Sequence, residues 1–501
     1  MRDSASARLP QYQMTALPRY VLPWLRRLAV GASVVLATVY LVWALDSRNM
    51  LPLKAEHRVQ FTHEFRANQE SDTDWAGYLA LEERLAAEAR ATLELRDRGS
   101  DVLDRYGRGS LSNPNDYSPN WNRSYTLSAE SPRGTAVLVH GLSDSPYSVR
   151  ATAQLMQELG LSAYAPRMPG HGFAVGDLRD ARWEDWMAAV RIAMRAADAE
   201  RKNGQPLILV GYSNGGLLAV RYALDCRDDD AMPCPDGIVM LSPAIEITPL
   251  ARFAQWHRAV SWIRYFERFQ WQSILPEVDP YKFTSFPNDP GLEIHRAARA
   301  IGEDIADNPG ELPPMLAFQS AVDDTVSTLA VVNLFRRLPP NGSELVIYDV
   351  NRSNLTASLM TNPPPDLLQT ITQKLPLPFA VTVVTNEGPQ SLALRAVRFD
   401  GRLGASTERA LQMRWQNTIF SLSHIAVPFE PSDPIYGPTR VAGYPNLGGA
   451  APRGERKVLS LDPNYFARLR YNPFFSFQRD TIVQWLERWL EPQEAVAGPD
   501  D

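Results

Sequence analysis

The chain has 501 residues, 45% of them hydrophobic and 22% charged, with a formal net charge of −6. This composition suits a globular enzyme, and its mild acidity with no basic block argues against a nucleic-acid partner. The length accommodates one large α/β domain with additions rather than two catalytic domains, and no internal repeat is present.

In chain order, the first feature is the charge-free run LAVGASVVLATVYLVWAL from Leu28 to Leu45. At about 1.5 Å per helical residue it reaches roughly 27 Å, close to the apolar thickness of a bilayer. Arg2, Arg8, Arg19, Arg26 and Arg27 precede it, so the positive-inside bias puts residues 1–27 in the cytoplasm as a tail. Residues 28–45 are then a single-pass anchor in the inner membrane, with the larger part of the chain in the periplasm or otherwise extracytoplasmic. A cleaved signal peptide is the competing reading. The run exceeds an ordinary h-region, however, and Val42-Trp-Ala44 is the nearest approach to a cleavage site. A buried soluble helix is the third reading.

Residues 46–115 read as a helical spacer, with one long amphipathic helix over Asp72–Tyr106 marked by Trp75, Leu79, Leu85, Leu93 and Leu95. Arg123–Leu127 reads as an opening strand. Ala136–Val139 is a buried strand that ends in His140-Gly141-Leu142, a turn able to supply an oxyanion hole. Ala163-Tyr-Ala-Pro166 leads to the turn Pro169-Gly-His171-Gly172, and Trp183–Lys202 has helical spacing. Leu207–Tyr212 then breaks into Gly211-x-Ser213-x-Gly215 and continues as a helix. This is the spacing of a nucleophile elbow, where small neighbours let a serine occupy a strained strand-to-helix turn. Backbone N–H groups of Leu142 and Asn214 are the candidate donors to an oxyanion.

In this order, the His-Gly turn, the Pro-Gly-His-Gly turn and the elbow resemble the α/β-hydrolase superfamily, in its monoacylglycerol-lipase, carboxylesterase and serine-aminopeptidase-like branch. The resemblance covers roughly residues 120–490. It implies a mostly parallel sheet flanked by helices, an α/β-hydrolase domain over residues 116–490, and a triad running nucleophile, acid, histidine. Of seven histidines, His57, His63, His140 and His171 precede Ser213, and His257 and His295 precede any plausible acid, which leaves His424. The family pattern Asp-x-x-Val fits Asp323 and Val326 after the strand Met315–Ser320. Asp324 is the fallback acid and Asp349 a more distant rival.

Cys226 and Cys234 sit in a polar loop and form a possible disulfide, which would favour an oxidising compartment. After Leu241-Ser-Pro-Ala244, where the family inserts its cap (about 244–300), the chain is rich in aromatics: Phe253, Trp256, Trp262, Tyr265, Phe266, Phe269 and Trp271. That segment is the candidate acyl pocket, although its rings could instead bury the cap or face the bilayer. An insertion of about 350–415 separates Asp323 from His424 and reads as a β-hairpin over Phe379–Thr385 and Leu392–Phe399. Phe477–Leu490 reads as the final helix and 491–501 as a disordered tail.

The expected activity is hydrolysis of carboxylic esters with an apolar, lipid-like acyl group through an acyl-enzyme. It needs no metal and no cofactor, and the chain lacks H-E-x-x-H, paired C-x-x-C, Walker and G-x-G-x-x-G motifs. The alternatives are an aminopeptidase-like amidase, with Glu246, Glu267 or Glu277 holding a substrate ammonium, and a non-catalytic cell-envelope scaffold whose protein partner the sequence does not name.

Overall fold

The computed structural model describes residues 21–94, 96–97, 99, 102–202, 204–246, 261–307, 312–321, 323, 326–350, 369–370, 376–401, 406–415, 422–448 and 469–490. Most of the tail expected over 1–27, the fallback Asp324, Phe253 and Trp256 of the expected pocket, and the tail 491–501 lie outside these residues.

Helix α1 runs from Val21 to Asp46 and a 3-10 turn follows over Ser47–Asn49. Residues 26–49 are long and apolar enough to cross a membrane, and only 6% of the most apolar window is buried. By length and composition this helix fits a membrane span or a signal sequence. Among the described residues, 21–51 form one compact unit with 261–270, and the others form a second.

In the larger unit, α2 (Trp75–Leu93) begins where the Asp74 side chain accepts the Gly77 N–H at 2.7 Å. It is shorter than the helix expected over 72–106. Beyond Leu93 the apolar spacing lapses, Glu94 leaves the helical region at φ −83° and ψ 53°, and Arg96–Asp97 is already extended.

The sheet uses β1 (Tyr125–Leu127), β2 (Gly134–Val139), β3 (Leu161–Ala165), β4 (Leu207–Tyr212), β5 (Gly237–Leu241), β6 (Met315–Ser320), β7 (Glu344–Asp349), β8 (Ala380–Asn386), β9 (Ala393–Phe399) and β10 (Ser406–Arg414). Their spatial order is β10-β9-β8-β7-β6-β5-β4-β2-β3-β1. Every pairing from β8 through to β3 is parallel, and β1, β9 and β10 are antiparallel additions. Strands β2 to β6 are buried along their whole length, as expected of strands covered by helices on both faces. The helices are α3 (Arg150–Glu158), α4 (Trp183–Glu200), α5 (Asn214–Asp228), α6 (Asp289–Asp307), α7 (Thr328–Phe335) and α8 (Phe475–Leu490). Alternating strands and helices with parallel pairing make this the α/β-hydrolase architecture expected from the sequence.

The hairpin expected in the insertion is present as β8 and β9, with Val383 opposite Val397. It is continuous with the main sheet, because β8 also pairs with β7, and it carries an unforeseen third strand, β10. That strand is mostly exposed, so it lacks the alternation by which a strand is read from sequence. The Pro363–Pro365 stretch lies outside the described residues. Cys226 in the last turn of α5 is joined to Cys234, their Cα atoms 5.4 Å apart.

Residues 52–93 belong to the same compact unit as the sheet. The join is a buried charge cluster. Arg167, in the loop after β3, donates from Nη2 to Glu64 Oε1 at 2.8 Å and from Nη1 to Glu64 Oε2 at 3.0 Å. Its Nε lies 3.5 Å from Glu82 Oε1 on α2, and Tyr78 on the same helix donates to the Arg167 carbonyl at 2.6 Å. Burial alone would raise the Glu64 pKa, yet the adjacent guanidinium holds it below the ordinary carboxylate value. Arg167→Met should therefore strand two buried carboxylates and cost about 3–5 kcal/mol, read as a lower midpoint in urea unfolding at unchanged m-value.

Two buried histidines brace the same region. His57 accepts the Lys54 N–H at Nδ1 and lies 3.2 Å from Ser285 Oγ through Nε2. His171 lies 3.0 Å from the Pro169 carbonyl through Nδ1. Burial first, then nearby cations, pushes the His57 pKa down to about 4, and burial does the same for His171. Below the unfolded value of about 6.5 the unfolded chain binds protons that the folded one refuses, so stability is full above that pH and falls as pH drops toward about 4. Each residue should contribute about 3 kcal/mol of this loss, and His57→Gln should flatten the pH dependence of the unfolding midpoint between pH 7 and 4.5.

Candidate active site

Strand β4 delivers the chain to Ser213, which adopts φ 52° and ψ −113°. For a residue with a Cβ this is strained, and such strain persists only where the surroundings over-determine it. They do so here. The Ser213 N–H donates to the Leu241 carbonyl at 2.9 Å, and its own carbonyl accepts from Gly216 at 3.0 Å, Ala244 at 3.0 Å and Leu217 at 3.3 Å. Glycine is required on either side because a Cβ on Gly211 would overlap the Gly215 carbonyl, and one on Gly215 would overlap that of Val139. From residue 206 to 220, Ser213 is alone in not being fully buried. Asn214 opens α5, so its N–H belongs to the first turn, which has no intrahelical acceptors and carries the positive end of the helix dipole.

The turn after β2 abuts this elbow. A Cβ added to Gly141 would stand 3.2 Å from the Ser213 Cβ and 2.8 Å from Asp144 Oδ2. Beside it, His140 accepts the Met168 N–H at Nε2, 2.9 Å away, and its Nδ1 lies 2.8 Å from the Gly141 carbonyl, which assigns Nδ1 as the protonated nitrogen. Complete burial, helped by the adjacent His171 whose ring centroid is 5.0 Å away, holds the His140 pKa well below that of free imidazole. Both histidines therefore hold turns, and neither is poised for proton transfer at neutral pH.

Asp323 follows β6 and His424 opens a 3-10 turn over His424–Ala426. They are separated by 101 positions in the sequence, yet His424 Nδ1 lies 3.4 Å from Asp323 Oδ1. Both side chains are largely buried, at 12% and 2% exposure, and Asp323 Oδ1 also accepts the Val326 N–H at 3.2 Å, which fixes the carboxylate. That bond gives the Asp-x-x-Val spacing a local purpose. Since β4, β5 and β6 are parallel neighbours, Ser213 and Asp323 leave the same end of the sheet two strands apart, roughly 10 Å at ordinary strand spacing. Burial raises the pKa of the neighbouring Tyr212 phenol, and the negative charges of Asp144 and Asp323 add to the rise. The rival Asp349 is buried at the end of β7, one strand farther away.

Sequence reasoning missed one polar group here. Asp144, 3% exposed, pairs with Lys282 Nζ at 2.9 Å, and the Phe283 N–H donates to the Ser143 carbonyl at 2.8 Å. Residues 282–283 thus brace the His-Gly turn from the segment between β5 and α6. Burial raises the Asp144 pKa while Lys282 opposes the rise, and the charge of His424 also reaches it. The pair joins positions 138 apart, and only Asp144, inside the His140-Gly-Leu-Ser-Asp144 turn, had a sequence signal.

The aromatic segment divides. Trp271 is 1% exposed and Phe266 and Phe269 are half-buried, whereas Trp262 and Tyr265 expose 78% and 52% of their surfaces. Of the acids considered for an α-ammonium, Glu277 is buried and accepts the Thr284 and Ser285 N–H groups at 3.0 and 2.8 Å, so it is committed to its own loop. Its pKa is raised by burial.

Residues 130–352 match the model of the family described as serine aminopeptidase, S33. A thermostable monoacylglycerol lipase of Bacillus sp. (strain H-257) is 25% identical over 215 residues, which is 43% of this chain and 76% of that protein. Among solved structures, a monoacylglycerol lipase of Paleococcus ferrophilus aligns with 45% of this chain and 87% of its own, at 20% identity and a TM-score of 0.34. A thermostable carboxyl esterase from Bacillus coagulans aligns with 45% and 83%, at 15% identity and a TM-score of 0.34. Residues 130–352 are thus similar to the serine aminopeptidase, S33, family, and they lie within a domain of α/β-hydrolase architecture.

Proposed function

We propose that the protein is a membrane-anchored serine hydrolase that cleaves carboxylic esters with a lipid-like acyl group. Ser213 attacks the ester carbonyl, His424 takes its proton, Asp323 orients the imidazole, and water resolves the acyl-enzyme. The developing oxyanion is received by the backbone N–H groups of Leu142 and Asn214. Two observations support this reading: the strained, partly exposed Ser213, and Asp323, which leaves the same end of the sheet two strands away and lies 3.4 Å from His424. The lipase name of the Bacillus relative supports the ester substrate. The apolar helix α1, the arginines before its apolar run and the Cys226–Cys234 bridge support an anchor with the domain on the extracytoplasmic side.

Labelling by a fluorophosphonate, with turnover of p-nitrophenyl esters of increasing chain length, tests the proposal. Labelling should require Ser213, and the optimum should fall at medium or long acyl chains; a folded protein that neither labels nor turns over any ester would refute it. Ser213→Ala should lower kcat by about 10⁴-fold or more while moving the unfolding midpoint little. Asp323→Asn should cost on the order of 10²–10⁴ in kcat and Asp324→Asn far less; the opposite ranking would reassign the acid.

A further inference from the structure

Within the smaller unit, residues 261–270 are fastened to the end of α1 at three points. The rings of Tyr40 and Phe269 meet edge to face with centroids 5.6 Å apart. The Arg48 guanidinium lies 4.0 Å over the Tyr265 ring and donates to its hydroxyl. Arg268 Nη1 donates to the carbonyls of Arg48 at 2.7 Å and Met50 at 2.8 Å. We infer that residues 261–270 are a membrane-interface element, lying in the headgroup layer of the bilayer that α1 crosses, with Trp262 and Ile263 against lipid. This inference rests on the anchor reading above.

Depth along the helix carries the argument. The apolar run ends at Leu45, and Tyr40 is five residues before it, which places its ring about 7–8 Å inside the hydrocarbon boundary at the helical rise. Phe269, in contact with Tyr40, shares that depth. Arg48, three residues beyond Leu45, stands about 4–5 Å outside it and takes Tyr265 with it. A segment holding both residues straddles the boundary and cannot lie in bulk water while α1 spans. Its composition fits that layer: Trp262 at 78% exposure, Ile263 at 37% and Tyr265 at 52% share the segment with Arg264, Glu267 and Arg268, whose net charge is positive. Amphipathic rings and arginines are what the zone between acyl chains and phosphates accommodates.

The full chain, reconstituted into vesicles of phosphatidylcholine and phosphatidylglycerol, provides the test. An environment-sensitive fluorophore is placed at Trp262→Cys and, separately, at Arg299→Cys, whose side chain is 73% exposed on α6. Both native cysteines are joined in the bridge. The label at 262 should lose fluorescence to lipids bearing a shallow nitroxide, more than to those bearing a deep one, while the label at 299 loses none. A label at 262 as insensitive to lipid nitroxides as that at 299, in protein that floats with vesicles after carbonate washing, would overturn the inference and leave the anchor standing. Shielding of 262 from aqueous iodide without lipid quenching would mean a protein cover and would overturn it too. Failure to float would remove the anchor reading, and the inference with it.

Discussion

The arrangement depends on a backbone contact that admits no side chain. Where α5 leaves the elbow, Gly215 lies so close to the Val139 carbonyl that a single added carbon would overlap it, and Gly211 is as close to Gly215. This contact seats the first turn of α5 against the end of β2 and brings the His-Gly turn so near Ser213 that a Cβ on Gly141 would stand 3.2 Å from the serine Cβ. The chain can make the crossing only by turning at Ser213 through a left-handed φ, and four hydrogen bonds to its own N–H and carbonyl hold it there. The positions of the candidate nucleophile and the candidate oxyanion donors are therefore consequences of the same close approach.

Around that contact the charges fall into two kinds. Arg167, Glu64 and Glu82 are sealed and matched, and they weld the residues after α1 to the loop that supports His140. Asp144 with Lys282, and Asp323 with His424, are also largely buried, but they lie beside the elbow, where fields from fixed charges act on any group whose charge changes during reaction. Burial makes the first set unforgiving of substitution. In the second it makes each charge audible to its neighbours, as the phenol of Tyr212 registers.

Short-range patterns were legible. Gly211-x-Ser213-x-Gly215 after an apolar run, His140-Gly141 after another, and the Asp323-to-Val326 spacing each describe a turn whose geometry depends on a few adjacent residues, and the parallel sheet followed from buried strands alternating with helices. Partnerships across long separations were not legible. Nothing in the sequence marks Lys282 as the partner of Asp144, or Arg167 as that of Glu64, since ion pairing leaves no periodicity. The end of α2 at Leu93 and the exposed β10 escaped for a related reason, because their residues lack the apolar rhythm by which elements are read. The aromatic segment was legible as composition only: Trp262 and Trp271 look alike in sequence, and one is exposed while the other is fully enclosed.

Helix α8, the last described element, has consequences for the order of folding. Trp485 and Trp489 press so closely on Gly237 of β5 that no side chain fits between, and Ile482, Trp485 and Leu486 complete the cluster that lines the central strands. Until residue 490 has been synthesised, the apolar face of β5, β6 and β7 has no cover, and Glu64 has waited 103 positions for Arg167. Ring closures of that length are slow relative to helix formation. The face of the central strands that α8 covers therefore stays bare longer during synthesis than the surfaces covered by α3, α4 and α5, which makes docking of α8 a late step.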